Sequence, residues 1–432
     1  MLCKGLVLSQ LAIPVVSLLI GFLAYTSQYF FLHFQQAPLQ KNEAWWLNIL
    51  ATCIWICYYR ACTVDPGHIP KNWKPADGKQ PHPSQEDIGR QRWCRRCEAL
   101  KPPRAHHCKK CGRCIPKMDH HCPWTSNCVS HFTFPHFIRF LFYTVFGTGY
   151  LGTLLFRRAS IVWADRNLPG YLGPSLSQLV HLFILIVVNS FICFALFILF
   201  VRTVWSLGSN VTTIESWEIE RHQTLVRRAR YFGGFLDGPG GVKIRIKKQE
   251  FPYDIGIWAN IKAGMGGSRN ILGWFWPLAA SPDRSTGLVY EVNEFEDPGL
   301  SWPPPDPDRI PRPTRPVGDD GAFTMPQYSS AREQLEAFNQ RQQEDLQRRR
   351  VYSQVQRRRR FHERLEHQVE PGSDSAETWS ENDDSAEGEE SWRNSEGERL
   401  GDFGVDEEAE FYDEEDIPLG VLVERRGNRF KE

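Results

Sequence analysis

The apolar residues of this 432-residue chain are concentrated in four long runs, which cover residues 6–32, 45–59, 137–156 and 179–201. Three of these runs reach or exceed the roughly 20 residues that a helix needs to cross a bilayer. The second run is shorter, but it becomes long enough if flanking polar side chains extend to the membrane interface. The first run is longer than the apolar region of a signal peptide. The pattern therefore predicts four transmembrane helices, the first of them retained.

Basic residues are distributed unevenly among the loops between these runs. Residues 63–136 carry thirteen Lys and Arg, whereas residues 33–44 carry one and residues 157–178 carry three. Because loops rich in Lys and Arg remain on the cytosolic side of a membrane, we expect residues 63–136 and both termini to be cytosolic. The zero formal net charge and 41% hydrophobic content are averages that conceal this arrangement.

Seven of the twelve cysteines and four histidines lie between residues 93 and 128. Four of them follow the spacing C-x2-C-x9-H-x6-C, and the same four residue types recur fourteen positions later. The two interleaved sets are Cys94, Cys97, His107 and Cys114, and Cys108, Cys111, His121 and Cys128. Three thiolates and one imidazole are the ligands of a closed, tetrahedral structural zinc site. The sequence therefore predicts two zinc ions, in preference to disulfides, unliganded thiols or an iron–sulfur cluster.

Cys122 belongs to neither set, and it lies close to Asp119 and His120 in the chain. A free thiol beside an imidazole and a carboxylate has the composition of an activated nucleophile, because the imidazole favours the thiolate and the carboxylate orients the imidazole. A buried, unreactive thiol is the alternative. A cytosolic location agrees with both the zinc ligands and the nucleophile, since that compartment keeps thiols reduced.

The sequence Asp119-His120-His121-Cys122 within this cysteine-rich frame resembles the signature of the DHHC family of integral-membrane protein S-acyltransferases, the palmitoyltransferases. The resemblance covers roughly residues 1–280. It includes a DPG motif at residues 65–67, a TTxE motif at residues 212–215, and a C-terminal aromatic element with Asn260 at its asparagine. The chain has Ser130 and Thr133 where most members have Gly and Asn.

The resemblance implies acyl transfer in two steps, from a long-chain acyl-CoA, usually palmitoyl-CoA, to a cysteine of a membrane protein on its cytosolic side. Cys122 would form the acyl-enzyme, His120 would act as the base, Asp119 would orient His120, and both zinc ions would be structural. Residues 133–137 and the WFWP segment look most like fungal members of the endoplasmic reticulum. The main alternative is a membrane-anchored, RING-like zinc-finger interaction module without acyl transfer, which leaves Cys122 without a function.

The predicted fold is an all-α membrane protein with four transmembrane helices, a small cytosolic two-zinc domain and a disordered C-terminal tail. The tail is Pro-rich, then basic, then acidic. Residues 373–416 contain nineteen acidic residues against two arginines, and they include too few apolar residues to fold alone. Neither a transporter nor a nucleic-acid partner is expected. The predicted segments are transmembrane helices 1 and 2 at 1–62, the cysteine-rich zinc domain at 63–136, transmembrane helices 3 and 4 at 137–201, the cytosolic C-terminal element at 202–280, and the tail at 281–432.

Overall fold

The computed structural model describes residues 8–73, 93–167, 169, 173–237, 243–267, 270–293, 302–304, 306–307, 332, 342–343 and 392–406. The chain divides into two units, one of residues 312–387 and the other of residues 1–311 and 388–432. The fold described below is that of the second, larger unit. Most of the predicted linker before Cys94, the basic stretch of the tail and most of its acidic stretch lie outside the described residues.

Long helices form from the four apolar runs. The first run forms α1, a π-helical turn and α2, which follow one another without a break. The bounds are α1 (Leu8–Gly21), the π-helical turn (Phe22–Thr26), α2 (Ser27–His33), α3 (Lys41–Thr63), α4 (Phe134–Ala164) and α5 (Leu176–Ser209). Pro14 inside α1 is a residue that membrane helices tolerate.

Three helical segments among the described residues are long and apolar enough to cross a membrane: Leu11–His33, Phe134–Ala164 and Leu176–Ser209. This is one fewer than the sequence predicts. The second run does form a helix, α3, whose 23 residues extend about 35 Å at the usual helical rise. Lys41, Glu43 and Arg60, together with several aromatic residues, make α3 less apolar than the other three.

Helix α4 packs between α3 and α5. Gly147 of α4 permits the approach of α3, because a Cβ at this position would lie 2.9 Å from Ile54 Cδ1. Small residues at helix crossings are a common means of close packing in membranes. On the other side of α4, the buried Asn189 of α5 donates a hydrogen bond to the Thr148 carbonyl at 3.1 Å. The polar side chain therefore faces the bundle, as burial in a membrane requires.

The cysteine-rich domain consists of three antiparallel β-hairpins. The hairpins are β1 (Trp93–Cys94) with β2 (Ala99–Leu100), β3 (His106–Cys108) with β4 (Arg113–Ile115), and β5 (His120–Cys122) with β6 (Asn127–Val129). Their turns contain the left-handed residues Glu98, Gly112 and Ser126, which are spaced fourteen apart. The fourteen-residue repeat in the ligands is thus a repeat of hairpins. The predicted all-α class describes the helical bundle, whereas this domain is built from strands.

A 19-residue helix, two short helices and a fourth hairpin follow α5. They are α6 (Thr213–Tyr231), β7 (Phe235–Asp237), β8 (Lys243–Arg245), α7 (Ile257–Gly264) and α8 (Ile271–Phe275). The fully buried Asn260 of α7 donates to the Gly208 carbonyl at 2.8 Å and to Asp254 Oδ1 at 2.7 Å. This asparagine therefore fastens the aromatic element to the end of α5.

A buried ion pair joins the cysteine-rich domain to α6. Arg104 donates from Nε and Nη2 to the two carboxylate oxygens of Glu215 at 2.6 and 2.7 Å, and both side chains are almost completely buried. The Arg104 guanidinium also lies 4.6 Å from the ring centre of Tyr253 and 5.1 Å from that of Tyr290. Glu215 accepts a further hydrogen bond from the Thr212 backbone N–H at 2.9 Å, which closes the first turn of α6.

The prediction of a wholly disordered tail is wrong for the parts of it that are described. Arg221 of α6 pairs with Asp306 at 2.9 Å in the Pro-rich segment. Residues 392–406 pack against the cysteine-rich domain and α6 through the buried side chains of Leu400, Phe403 and Val405. The acidic composition of residues 373–416 conceals this small apolar group, which is enough to dock a short segment on an existing surface.

We expect Glu215→Ala to lower the free energy of unfolding by about 3–5 kcal/mol, because it leaves the buried Arg104 charge without its partner. Glu215→Gln should cost less, since the amide still accepts hydrogen bonds. The control is Arg157→Ala, which removes a pair with Glu43 in which the arginine is 55% exposed and should cost below about 1 kcal/mol. Denaturant unfolding of the purified proteins in detergent measures all three. Equal stability of Glu215→Ala and wild type would contradict the role assigned to this pair.

Candidate functional site

Each of the two predicted metal sets comes together in the structure. The ligand atoms of each set all lie within 4.8 Å of one another. In the first set the three sulfur atoms lie 3.3, 3.3 and 3.7 Å from His107 Nδ1, and in the second they lie 3.6, 3.6 and 3.5 Å from His121 Nδ1. A tetrahedral zinc ion with ordinary Zn–S and Zn–N bonds sets these atoms about 3.6 Å apart. Both sets therefore fit zinc.

The hairpin repeat explains why the two sets interleave. His107 and Cys114 lie directly opposite each other on β3 and β4, and they meet Cys94 and Cys97 of the first hairpin. The turn of this second hairpin supplies Cys108 and Cys111 to the next set, where His121 and Cys128 are again opposite partners, on β5 and β6. Each site thus links two successive hairpins. All cysteines in the described part of the chain are free thiols, so the disulfide alternative gains no support there.

Asp119, His120 and Cys122 lie together at the third hairpin. Asp119 Oδ2 accepts a hydrogen bond from His120 Nδ1 at 2.6 Å. The Cys122 thiol, in a residue that is 5% exposed, lies on the same strand and interacts electrostatically with the imidazole. Burial opposes the imidazolium, but the bonds to Asp119 and Cys122 outweigh it and raise the pKa of His120 to about 10. Burial likewise opposes the thiolate, but His120 lowers the pKa of Cys122 below its usual value. The arrangement favours a thiolate–imidazolium pair.

The TTxE motif positions this group, a role that sequence reasoning missed. The Thr213 backbone N–H donates to Asp119 Oδ1 at 2.8 Å, and the Thr213 hydroxyl donates to the Asp119 carbonyl. Both carboxylate oxygens of Asp119 are therefore occupied, one by His120 and one by α6. The sequence shows only that the motif can begin a helix. Thr212 does cap α6, whereas the role of Thr213 depends on a contact between residues 94 positions apart.

Cys122 also occupies a position in the hairpin repeat. It lies fourteen residues after Cys108, and Thr125 lies fourteen residues after Cys111. In the second hairpin the Cys111 backbone N–H donates to Cys108 Sγ at 3.3 Å, and in the third the Thr125 hydroxyl donates to the Cys122 carbonyl at 3.4 Å. The fourteen-residue offset, continued by one further step, would have identified this relation from the sequence. Cys122 thus occupies the position of a metal-binding thiol in the repeat, with Thr125 in place of the second cysteine of the turn.

Helix α4 begins at Phe134, where the next hairpin of the fourteen-residue repeat would begin. Phe137 of α4 meets the His120 ring edge-on at 5.8 Å. Cys122 packs into an apolar cluster formed with α1, α3 and α4. The members of that cluster are Ile20, Ile54, Cys57, Tyr58, Cys122, Val129, Phe137, Phe140 and Leu141. The thiol is therefore placed between the hairpins and the apolar interior of the helical bundle.

The DPG motif, Ser130 and Thr133 hold the third hairpin against the end of α3. Ser130 and Thr133 are the two positions where the chain differs from the common family pattern. Ser130 Oγ donates to the Pro66 carbonyl at 2.8 Å, and Thr133 Oγ1 donates to the Cys128 carbonyl at 2.6 Å. Gly67 has a φ of +94°, and a Cβ there would lie 2.6 Å from the Phe132 ring. Only glycine allows this approach. Ser130 and Thr133 thus provide hydrogen bonds of their own in place of Gly and Asn.

Comparison with known proteins gives a consistent result. Residues 87–220 match the family model described as DHHC palmitoyltransferase. The chain is 66% identical over 430 residues to "Palmitoyltransferase pfa4" of Aspergillus fumigatus and 64% identical over 431 residues to the protein of the same name from Emericella nidulans, with 99% of each chain covered in both cases. It is 39% identical over 438 residues to "Palmitoyltransferase PFA4" of Gibberella zeae, covering 96% of this chain and 95% of that protein. None of these matches supports the RING-like alternative.

The two adjacent histidines should behave differently when substituted. His121→Ala removes one of the four ligands of a closed metal site, so we expect the purified variant to bind about one zinc equivalent less and to fold poorly. His120→Ala should retain both equivalents, because His120 belongs to neither ligand set. Its self-acylation should nevertheless fall, since the thiol loses its imidazole partner. Elemental analysis of zinc in the two variants, compared with wild type, measures the difference, and equal zinc loss in both would contradict the ligand assignment.

Proposed function

The chain belongs to the DHHC palmitoyltransferase family and is a protein S-palmitoyltransferase, and we propose that Cys122 carries the transferred acyl group as a thioester. The observation that supports this role is the 2.6 Å hydrogen bond between His120 and Asp119, which orients the imidazole near the buried Cys122 thiol. Burial opposes the thiolate, but His120 lowers the pKa of Cys122. A thiolate stabilised by an imidazolium is a competent nucleophile for a thioester carbonyl.

In the first step the Cys122 thiolate attacks the carbonyl carbon of a long-chain acyl-CoA, for which palmitoyl-CoA is the expected donor. The carbon–sulfur bond to CoA breaks, and the CoA thiolate takes the proton that His120 holds. In the second step neutral His120 removes the proton from a substrate cysteine, whose sulfur attacks the acyl-enzyme. Cys122 then leaves as the thiolate, so that the pair returns to its starting state.

The acyl chain is proposed to lie in the apolar cluster beside Cys122, between α1, α3 and α4. Burying a long alkyl chain there is favourable at about 0.8 kcal/mol per methylene. Tyr58 of α3 contributes to this arrangement, because its hydroxyl donates to the Trp124 carbonyl at 2.9 Å and thereby ties the hairpin turn to the helix. Substrates are proposed to be membrane proteins that present cysteines at the cytosolic surface, where Cys122 lies.

Two zinc ions are proposed to be structural, one held by Cys94, Cys97, His107 and Cys114 and the other by Cys108, Cys111, His121 and Cys128. All four positions of each tetrahedron are taken by protein ligands, which leaves no position for substrate. Zinc would therefore connect the hairpins. Its chemical contribution would be to replace the hydrophobic core that so short a segment lacks.

The membrane arrangement is proposed to be multi-pass with four spans, α3 being the second. Its 23 residues are long enough, and it packs along α4. The excess of thirteen basic residues in residues 63–136 supports cytosolic hairpins and cytosolic termini. The endoplasmic reticulum membrane is proposed from the likeness of the WFWP segment and residues 133–137 to fungal members of that compartment.

Cys122→Ser should abolish incorporation of label from a labelled acyl-CoA and transfer to a substrate protein, while both zinc equivalents remain bound. The wild-type label should be released by hydroxylamine, which cleaves thioesters. Cys193→Ser is the control, because Cys193 of α5 is a partly buried cysteine that is not a member of the apolar cluster proposed for the acyl chain. Persistent hydroxylamine-labile labelling of Cys122→Ser would contradict the assignment of the nucleophile.

The proposed topology predicts where glycosylation can occur. An acceptor sequence inserted between residues 34 and 40 should be modified in microsomes, because this loop would face the lumen. The same sequence inserted between residues 68 and 73 should stay unmodified, since that loop would be cytosolic. Modification of the second insertion but not the first would indicate the opposite orientation. Modification of both would indicate that α3 does not cross the membrane.

A further inference from the structure

A short segment near the C-terminus, residues 392–406, extends the second hairpin. We refer to it as the C-terminal strap. The Lys109 backbone N–H donates to the Gly404 carbonyl at 2.9 Å, and the Asp406 N–H donates to the His107 carbonyl at 2.9 Å, with Val405 paired antiparallel to Cys108. The strap therefore adds strand-like pairing to the hairpin that supplies ligands to both predicted metal sites.

The strap also covers the second metal site. Leu400, Phe403 and Val405 are 4%, 7% and 2% exposed, and they share one apolar cluster with the ligands Cys108 and Cys128. Gly404 lies against a third ligand of the same site, since a Cβ on it would be 2.7 Å from His121 Cβ. Its φ of +84° is a conformation that glycine adopts without strain.

Further contacts fix the strap at both ends. Asp406 forms an ion pair with Arg96 of the first hairpin at 2.7 Å. At the other end, the Trp217 indole N–H of α6 donates to the Glu398 carbonyl at 3.2 Å, and Trp392 meets the Trp217 ring edge-on at 4.9 Å. The Ser395 backbone N–H donates to a carboxylate oxygen of Glu220 at 2.6 Å. One segment thus contacts all three hairpins and α6.

We propose that the strap is an internal binding partner of the cysteine-rich domain and holds the second zinc site closed. This inference rests on the zinc occupancy proposed above. Release of zinc requires a ligand to move out of the tetrahedron, and the strap lies on three of the four ligands of this site. At the first site the strap contacts one ligand residue, His107, through its backbone carbonyl, and the neighbouring non-ligand Arg96. Because His121 precedes Cys122 in the same strand, closure of the second site also holds the nucleophile in position.

The test compares the rate of zinc transfer from purified full-length protein to a chromogenic chelator. Deletion of residues 388–432 should speed release of one of the two zinc equivalents by roughly tenfold or more. Deletion of residues 407–432 is the control, because it retains the strap. Gly404→Ala should act in the same direction, since the added methyl group meets His121, and a tenfold change corresponds to about 1.4 kcal/mol, within the cost of overpacking.

Gly397→Ala is the matched control for the point variant, because Gly397 has a similar φ of +80° but nothing within 4 Å of its Cβ position. Hydrogen exchange of residues 107–109 provides a second readout: it should speed up in both strap variants and stay unchanged in both controls. Unchanged zinc release in both Gly404→Ala and the 388–432 deletion would overturn the inference, whether or not self-acylation is normal. Wild-type protein without zinc would instead contradict the proposed metal sites.

Discussion

The architecture of the cysteine-rich domain depends on one constraint: strands of two or three residues cannot bury a hydrophobic core. Metal sites formed between successive hairpins replace such a core. In each site, a His–Cys pair on opposite strands of one hairpin completes a ligand set whose two other cysteines belong to the preceding hairpin. Metal coordination then supplies the cohesion that apolar packing supplies elsewhere. The third hairpin, which bears Cys122, has its place because His121 and Cys128 of the same hairpin complete the second set.

Contacts from α6 fix the positions of Asp119 and His120 on this framework. Arg104 and Glu215 fix α6 against the hairpins, and Thr213 at the start of the helix then reaches Asp119. The oriented carboxylate holds His120, which in turn acts on the thiol. The orientation of His120 beside Cys122, the proposed nucleophile, therefore depends on a helix that follows α5. A change far from the signature can alter the reactivity of the thiol through this series of contacts.

Much of the site was readable from the sequence, because ligand spacing and motif order are local properties. Both metal sets, the unpaired Cys122 and the positions of the DPG and TTxE motifs were predicted, and the ligand sets assemble as expected. Other features depend on contacts between residues that are far apart in the sequence. The contact of Thr213 with Asp119 requires the fold, and the docking of Leu400, Phe403 and Val405 requires a surface that acidic composition does not reveal. The fourteen-residue offset between Cys108 and Cys122 is also visible in the sequence.

The place of Cys122 in the hairpin repeat has a consequence for metal selectivity. A zinc-binding turn of this type chelates through two cysteines, and in the third hairpin the second cysteine is replaced by Thr125. A hydroxyl is a far poorer ligand for a soft or borderline metal than a thiolate. Cys122 is therefore a poorer ligand position for the ion that the two complete sets would hold. One substitution in a repeated turn would allow the proposed reactive sulfur to coexist with the two proposed zinc sites in a single small domain.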